Sequence, residues 1–459
     1  MFRTATEDLI NWKNSKNKRA LLVTGARQIG KTYLIRQFAR EHYKNFIELN
    51  FLEDPKAREI FDGNLDAQTI LMLISAYTTT PFEKGNTLIF FDEIQECPNA
   101  RTAIKFLVED GQYDYIESGS LLGVNYKVVP SYPVGYETIL HMYPMTFKEF
   151  CLANKLSSQT FEYLEQCFER KTKVHEAIHQ KLLELFRYYT VVGGMPKAVK
   201  SFIENKDINK VKQAQNDILE LYLQDIQKYA LIGKNKITNI FKQIPASLND
   251  KNRKFKLSSI NKNVKMRDYE DSFTWLEDAG VALPCFSVSE PVLPLKVNLQ
   301  TRNFKLYSSD NGLLCNQSLD NAQFQILTGN LSVNLGSILE NVFATNLKAN
   351  QFNLYYFNKQ KIGEVDFVVQ QGAQIIAVEI KSGNDYHRHA ALNNLLSVSE
   401  WKISEGIVFC KGNIEVVDKI TYYPWYMVMF FKDHLPNFRI DLDLESINNL
   451  IPPNRVGGV

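Results

Sequence analysis

A glycine-rich loop between an apolar strand and a helix is the feature that most restricts how this chain can fold. Residues 21–34 read LLVTGARQIGKTYL, in which Gly25 and Gly30 mark the two ends of the loop. Glycine lets the backbone curl so that its N–H groups and the helix N-terminus face an anionic phosphate without an obstructing Cβ. The sequence therefore predicts a nucleoside triphosphate site on an α/β sheet.

The residues of this loop have distinct predicted roles. Lys31 would reach the β- and γ-phosphates, and the hydroxyl of Thr32 would ligate Mg²⁺. A chance match is the alternative, and it should arise in about one unrelated chain of this length in a hundred. The predicted cofactors are therefore Mg²⁺ and ATP, with GTP as the alternative nucleotide. The predicted nucleotide-binding residues of the loop are Gly25, Ala26, Arg27, Gln28, Ile29, Gly30, Lys31, Thr32 and Tyr33.

An acidic pair at the end of an apolar run supplies the second half of this site. Residues 87–93 read TLIFFDE, which is typical of a strand buried on both faces of a parallel sheet. Asp92 would hold Mg²⁺ beside the nucleotide, and Glu93 would polarise the attacking water. An acidic pair of this kind, taken alone, is more often a helix cap or a solvated turn. In a chain that also contains the glycine loop, a role in the nucleotide site is favoured instead. The predicted catalytic residues here are Lys31 and Glu93.

Two serines follow a third apolar strand, around residues 113–116. They belong to the sequence Ser118-Gly119-Ser120. Because ligands bind at the carboxyl ends of parallel strands, either serine is a candidate to contact the γ-phosphate or the attacking water. An ordinary serine–glycine turn explains the same residues equally well.

Length and composition set wider limits. The chain has 459 residues, of which 45% are hydrophobic, and this predicts about two to four globular domains. The net charge of +2 means that any contact with nucleic acid must come from a local basic patch. The six cysteines form no CxxC pair, which argues against a zinc site or a disulfide framework. A reducing, cytoplasmic location is therefore expected. No signal core and no run of about 18 apolar residues is present, so we expect neither secretion nor a membrane partner.

Several further motifs extend a family resemblance over nearly the whole chain. The segments are GARQIGKT, FFDEIQECP, ESGSLLG, YPMTFKEF, VVGGMPKAV and FKLYSSDNGLL. Together they resemble the bacterial and archaeal AAA+-type ATPases that carry a C-terminal domain of uncharacterised function. Many of those relatives have an arginine after a glycine before the PMTFKEF-like segment, whereas here Tyr136 follows Gly135. The resemblance motivates a homo-oligomer hypothesis, and Arg101 and Arg187 are the candidates for an arginine finger.

The middle of the chain shows helical patterning followed by a basic segment. Apolar spacing over residues 156–235 predicts a helical lid or connector. Residues 236–300 contain two helical stretches and then an apolar hairpin near residues 281–288, an order that resembles a winged-helix domain. The basic residues of this part are a candidate DNA contact, and a solvated charged face is the alternative. They are Lys251, Arg253, Lys254, Lys256, Lys262, Lys265 and Arg267.

The C-terminal third contains a second set of charged residues, which lie on a predicted helix and on two predicted strands. Asp366 precedes a predicted strand, and the strand IIAVEIK places Glu379 and Lys381 on one face, beside Asp366 on its hairpin partner. Upstream, Glu340 lies on a predicted amphipathic helix, GSILENVFATNL. This order of helix, strand and strand resembles the restriction-endonuclease-like nuclease superfamily.

The resemblance implies a role for each of these four residues. In that superfamily the carboxylates, here Glu340, Asp366 and Glu379, hold Mg²⁺, and the lysine, here Lys381, orients or deprotonates the attacking water. The alternative is that Glu379 and Lys381 only form an ion pair at a sheet edge.

The sequence as a whole is interpreted as an α/β protein with four parts. They are a P-loop AAA+-like ATPase domain (1–155), a helical connector (156–235), a winged-helix-like domain (236–300) and a restriction-endonuclease-like domain (301–459). The predicted function is ATP hydrolysis coupled to metal-dependent DNA processing. An ATP-gated DNA-binding or regulatory protein, or a signalling ATPase with a non-catalytic nuclease-like domain, is the alternative.

Overall fold

The structure, a computed structural model, describes residues 1–120, 131–230, 232–250, 253–256, 266–319, 323–328 and 335–433. The strands of its N-terminal sheet are β1 (Ala20–Thr24), β2 (Asn45–Asn50), β3 (Thr87–Asp92), β4 (Asp114–Gly119) and β5 (Glu137–His141). They are all parallel, in the order β2-β3-β4-β1-β5. The predicted parallel sheet is therefore confirmed, and the three strands that precede the sequence motifs are neighbours.

Helices cover both faces of this sheet, because its central strands alternate apolar side chains between two cores. Phe90 packs in the core with α2, and Phe91 packs in the opposite core with α3 and α4. Every residue of β3 is buried, as its continuous apolar sequence predicts. The helices are α1 (Ala5–Lys13), α2 (Lys31–His42), α3 (Ala67–Tyr77) and α4 (Pro98–Asp110).

A helical region follows the sheet, as the apolar spacing predicts. Its helices are α5 (Phe147–Ala153), α6 (Ser158–Arg170), α7 (Glu176–Val192), α8 (Pro196–Asn205) and α9 (Ile208–Tyr229). A capping box formed by Thr146 and Glu149 begins α5. Glu149 also accepts hydrogen bonds from the Arg3 guanidinium (3.2 Å) and the Thr4 amide (2.7 Å), so this helix is joined to the N-terminal segment of the chain.

The next part contains α10 (Lys234–Asn249), α11 (Glu270–Asp278), β6 (Ala282–Val288) and β7 (Leu299–Ser308). The two strands pair antiparallel, but the bounds of the predicted hairpin were wrong, because residues 281–288 form only its first strand and the second strand is β7. β6 also pairs in parallel with β8 (Tyr355–Lys359), so the hairpin belongs to a four-stranded sheet in the order β7-β6-β8-β9, where β9 is Gly363–Val365. The predicted boundaries after residues 235 and 300 fall inside α10 and β7, and the domain division and the winged-helix assignment stay predictions.

The C-terminal part has a second five-stranded sheet. It comprises β10 (Phe367–Gln371), β11 (Gln374–Ile380), β12 (Glu405–Cys410), β13 (Glu415–Val417) and β14 (Ile420–Pro424), in the order β10-β11-β12-β14-β13. The predicted hairpin of β10 and β11 is confirmed. The helices of this part are α12 (Asn311–Leu319), α13 (Gln323–Leu327), α14 (Leu335–Ala349) and α15 (Ala390–Leu396).

Three of the sequence motifs meet at one tightly packed junction. The amide of Met145 donates to the carbonyl of Gly194 (2.7 Å), and the amide of Gly194 donates to the carboxylate of Asp310 (2.6 Å). A Cβ on Gly312 would overlap the backbone of Val192. The segments PMT, VGGMP and SDNG are therefore explained by close backbone contact between distant parts of the chain.

Two expectations from composition can be compared with the described residues. All six cysteines are buried free thiols. Within the described ranges, every helix is too short or too polar to cross a membrane.

Candidate functional site

The glycine loop joins β1 to α2 in the predicted way. Gly25 and Gly30 have φ angles of +141° and +91°, in the region that favours glycine. A Cβ on Gly25 would overlap the carbonyl oxygen of Met142, and the helix begins at Lys31. The unpaired N–H groups of the first turn of α2 therefore face the loop, where a phosphate would lie.

The side chain of Lys31 is folded onto its own loop. Its Nζ donates to the carbonyl oxygens of Gly25 (3.0 Å) and Ala26 (2.9 Å). Burial lowers the pKa of Lys31 to about 8, and the nearby carboxylates of Glu93 and Asp92 partly oppose this shift. A triphosphate in the loop would add negative charge beside this ammonium and stabilise its charged form.

Asp92 is the centre of a hydrogen-bonded cluster at the carboxyl ends of three strands. Its carboxylate accepts from the hydroxyl of Thr32 (3.0 Å), the side-chain amide of Asn50 (3.1 Å) and the hydroxyl of Ser118. Burial raises the pKa of Asp92. The hydroxyl and carboxylate oxygens that meet here are the donors that Mg²⁺ prefers, so these residues fit a magnesium ion beside a bound nucleotide.

The structure distinguishes between the two candidate serines. The hydroxyl of Ser118 donates to Asp92, whereas the Oγ of Ser120 accepts from the Nε of Arg27 at 3.3 Å. The expected contact of either serine with the γ-phosphate or the attacking water stays a prediction. Asn50 was missed by the sequence reasoning, although a polar residue at the carboxyl end of an apolar strand was the available signal.

Glu93 lies directly after β3 in a left-handed backbone conformation, with φ of +54°. This conformation is uncommon for a residue other than glycine and is often found at functional sites. The Oε2 of Glu93 accepts from the side-chain amide of Gln95 at 2.5 Å. Glu93 is therefore placed next to Asp92, at the carboxyl edge of the parallel sheet, where ligands bind.

Arg27 connects the glycine loop to the helical region. Its guanidinium pairs with the carboxylate of Asp225 in α9 at 2.6 Å, and its carbonyl accepts from the hydroxyl of Tyr222 at 3.2 Å. This contact spans almost 200 positions of sequence, and nothing local marks Asp225 as a partner. The side chain of Tyr33, also predicted to bind nucleotide, is 61% exposed.

The loop also contacts α11. A Cβ on Gly280, just after that helix, would lie 2.8 Å from the backbone nitrogen of Ala26. Any side chain at this position would therefore push against the glycine loop. The segment that follows α11 therefore packs closely against the glycine loop.

One arginine-finger candidate is already engaged within the chain. The Arg101 guanidinium pairs with Glu137 at 3.0 Å, and its side chain is only 4% exposed. It is held at the sheet and is not free to reach a neighbouring subunit.

The second candidate site is an acidic cluster between the two C-terminal sheets. Phe367 pairs with Val378 across the hairpin, which places Asp366 opposite Glu379 on one face. The carboxylate of Asp366 accepts from the amide of Ile380 (2.8 Å), and the Nζ of Lys381 contacts the Oε1 of Glu379 at 2.7 Å. The predicted same-face placement of Glu379 and Lys381 is confirmed.

Glu340 joins this region through cationic partners. It is fully buried, and its Oε1 accepts from Lys305 (2.7 Å) and from the hydroxyl of Tyr307. Its Oε2 faces the guanidinium of Arg253, which also lies 3.6 Å from the Oδ1 of Asp366. Arg253 therefore lies between two of the three predicted metal ligands.

The sequence did not lead us to assign Lys305 or its partner Glu364 to this cluster. Lys305 is fully buried in β7 and also contacts Glu364 in β9 at 2.8 Å. A lysine inside the otherwise apolar run FKLYS was the available signal, since a lysine is almost never fully buried without a partner. The identity of that partner depends on how the strands and helix pack.

The acidic cluster does not fit a magnesium ion in this arrangement. Among the described residues, no group of three His, Cys, Asp or Glu side chains is placed to hold a metal. Cations already compensate Glu340, and Arg253 lies between it and Asp366. Burial, followed by the charge of Asp366, raises the pKa of Glu379 to about 7. The predicted ligand set Glu340, Asp366 and Glu379 stays a prediction.

The basic segment is only partly described. Lys251, Lys262 and Lys265 lie outside the described residues. Lys256 pairs with Asp250 at 2.6 Å, and Arg253 lies in the acidic cluster. The predicted DNA contact of this segment stays a prediction.

Comparisons with known proteins divide the chain into three matched regions. Residues 17–151 match a family model described as an AAA domain. Residues 183–323 and 335–427 match two models described as domains of unknown function, DUF8612 and DUF4143. The first of these two regions contains two of the three junction segments, VGGMP and SDNG. No curated protein matches the chain.

Solved structures similar to this chain are distant in sequence. A Walker-type ATPase of Pyrococcus abyssi is 13% identical, with a TM-score of 0.39, over 68% of this chain and 94% of its own. The RuvB Holliday junction branch migration motor of Thermotoga maritima is 14% identical, with a TM-score of 0.30, over 61% and 89%. The ORC1 protein of Aeropyrum pernix, solved in complex with DNA, is 13% identical, with a TM-score of 0.26, over 71% and 90%. The region of residues 17–151 therefore matches an AAA domain model and has the glycine loop and parallel sheet of a P-loop fold.

Proposed function

We propose that this protein binds and hydrolyses ATP at the N-terminal site and couples that reaction to DNA processing at the C-terminal acidic cluster. The observation that carries the first part is the contact between Thr32 and Asp92, beside the buried ammonium of Lys31. These groups converge where a magnesium ion and the β- and γ-phosphates of a nucleotide would lie.

The residues of the nucleotide site divide the chemical work between them. The magnesium ion would neutralise phosphate charge when bound, held by Thr32 and Asp92. Lys31 exchanges its contacts with loop carbonyls for the phosphates and compensates their charge. Ser118 and Asn50 fix the orientation of Asp92 through their hydrogen bonds. Glu93 accepts a hydrogen bond from the attacking water and aligns it with the γ-phosphorus.

The DNA-processing part of the proposal is supported by the hairpin that places Asp366, Glu379 and Lys381 on one face. Opposed acidic and basic groups of this kind are needed for hydrolysis of a phosphodiester by activated water. The compensated state of Glu340 favours the second candidate, in which the C-terminal domain is non-catalytic and the ATPase regulates DNA binding or signals to a protein.

Oligomerisation is a separate proposal, motivated by the family resemblance and by the engagement of Arg101 with Glu137. A neighbouring subunit would then supply the cation that stabilises the transferring phosphoryl group. Sedimentation in the presence of ATP is the test. A monomer with full ATPase activity would remove the need for a second subunit.

The two parts of the proposed function are tested with two variants of the full chain. Glu93→Gln should retain ATP binding and lose hydrolysis, so that bound ATP accumulates. Asp366→Ala should lose any cleavage of DNA in Mg²⁺ or Mn²⁺ while ATP hydrolysis is unchanged, because distant sites act independently. DNA-stimulated ATP hydrolysis without cleavage in the wild type would select the regulatory candidate, and indifference to DNA would select a signalling ATPase.

A further inference from the structure

The acidic cluster has more negative charge than its two lysines compensate. Its carboxylates are Glu340, Glu364, Asp366 and Glu379, and its cations are Arg253, Lys305 and Lys381. Without Arg253 the formal charge of the cluster would change from −1 to −2. A buried site with uncompensated carboxylates attracts a cation.

One carboxylate oxygen in this cluster lacks a hydrogen-bond donor among the described residues. It is the Oε2 of Glu379, a residue that is only 7% exposed. The Oε2 of Glu340, which is 0% exposed, has the guanidinium of Arg253 as its partner. An unsatisfied buried carboxylate oxygen is costly, so its persistence points to a ligand that the site is built to receive.

We propose that Arg253 is a built-in cation that competes with a divalent metal for Glu340 and Asp366. Its guanidinium contacts the Oε2 of Glu340 and lies 3.6 Å from the Oδ1 of Asp366. A divalent ion bound by both carboxylates would occupy the same space, and the two cations cannot be there together. This inference rests on the proposed DNA-processing function of the cluster.

Arg253 is held in place by its neighbours in sequence. The Phe255 amide donates to the Phe304 carbonyl in β7 at 3.0 Å, and the Phe255 ring stacks on Phe304 with centroids 6.1 Å apart. Arg253 itself has a φ of +47°, which is strained for a residue with a side chain. The strained backbone and the anchored aromatic ring together direct the guanidinium into the cluster.

The same anchor leads back to the nucleotide site. Phe255 also makes an edge-to-face contact with Phe273 of α11, at 5.2 Å between centroids. The other end of α11 is followed by Gly280, which lies against the backbone of Ala26 in the glycine loop. One short helix, together with the glycine that follows it, therefore connects the glycine loop with Phe255, the residue that positions Arg253.

The test measures Mn²⁺ binding by the nucleotide-free full chain, using the electron paramagnetic resonance signal of free Mn²⁺. Arg253→Ala should bind one Mn²⁺ per chain at least about tenfold more tightly than the wild type, because a competing charge is removed. Lys254→Ala, the same charge change one residue away, is the matched control and should bind like the wild type. Adding Asp366→Ala to Arg253→Ala should abolish the gain.

The outcomes distinguish a failure of this inference from a failure of the proposed function on which it rests. Equal, Asp366-dependent affinity in the wild type and in Arg253→Ala would overturn the competition and leave the metal site standing. No Asp366-dependent binding in any variant would overturn both. Arg253→Gln removes the charge but keeps most of the side-chain volume, and it should also bind Mn²⁺ more tightly than the wild type. It provides the same test if the alanine variant does not fold.

Discussion

Replacing Gly194 by alanine should strongly destabilise the junction of the three motif segments. The new Cβ would lie 2.6 Å from the backbone nitrogen of Met145 and closer still to its carbonyl oxygen. Both obstacles are main-chain atoms, so a change of rotamer cannot relieve the overlap. The hydrogen bonds through Gly194, from Met145 (2.7 Å) and to Asp310 (2.6 Å), would lengthen as the segments move apart.

The magnitude follows from these two effects. Overpacking a tight interior costs up to about 3 kcal/mol, and each weakened hydrogen bond adds about 1 kcal/mol. We therefore expect Gly194→Ala to lower the free energy of unfolding by about 3–5 kcal/mol. The unfolding midpoint should fall by roughly 6–20 °C if the junction lies in a cooperative unit of about 150–250 residues.

Thermal unfolding followed by tryptophan fluorescence and circular dichroism measures this difference. Gly383→Ala is the matched control, because nothing lies within 4 Å of a Cβ at that position. The control should unfold close to the wild-type midpoint. A Gly194→Ala protein that unfolds together with the control would refute the close packing inferred for the junction.

Three further predictions concern other buried polar groups. Glu149→Ala should lower the free energy of unfolding by about 3–5 kcal/mol in urea unfolding, because it leaves the buried guanidinium of Arg3 without its carboxylate partner. Burial raises the pKa of Asp310 to about 6, above its unfolded value, so its contribution favours folding below about pH 4 and is lost as the pH rises through 6. Relative to Asp310→Asn, the wild type should therefore lose about 2 kcal/mol between pH 4 and pH 7 in the same assay, and a constant difference would contradict this. Ser118→Ala should reduce the rate of ATP hydrolysis about 10- to 100-fold with ATP binding retained, whereas Ser120→Ala, its control, should have a smaller effect.

The parts predicted well from the sequence are those whose signal is local. The glycine loop, the apolar run before Asp92 and the alternation of Glu379 and Lys381 each specify a backbone form and a direction within a few residues. The strand and helix at each of these places are confirmed. Local patterns of this kind do not depend on how distant parts of the chain pack.

The contacts that escaped prediction join residues far apart in sequence. Asp225 binds Arg27, Lys305 binds Glu340, and Gly280 packs on the glycine loop. Each depends on which helix faces which strand, and a single sequence contains no periodic signal for that choice. The charge of Arg253 suggested a DNA contact, because a basic run looks the same whether it faces solvent or a buried carboxylate.

ATP binding and hydrolysis by Lys31→Ala is the most direct test of the proposed nucleotide site. The substitution removes the ammonium that contacts the loop carbonyls of Gly25 and Ala26 and that would compensate the phosphates. Lys16→Ala, at an exposed position, is the control and should hydrolyse ATP like the wild type. We predict that Lys31→Ala abolishes hydrolysis, and hydrolysis at the wild-type rate would show that the nucleotide site is wrongly assigned.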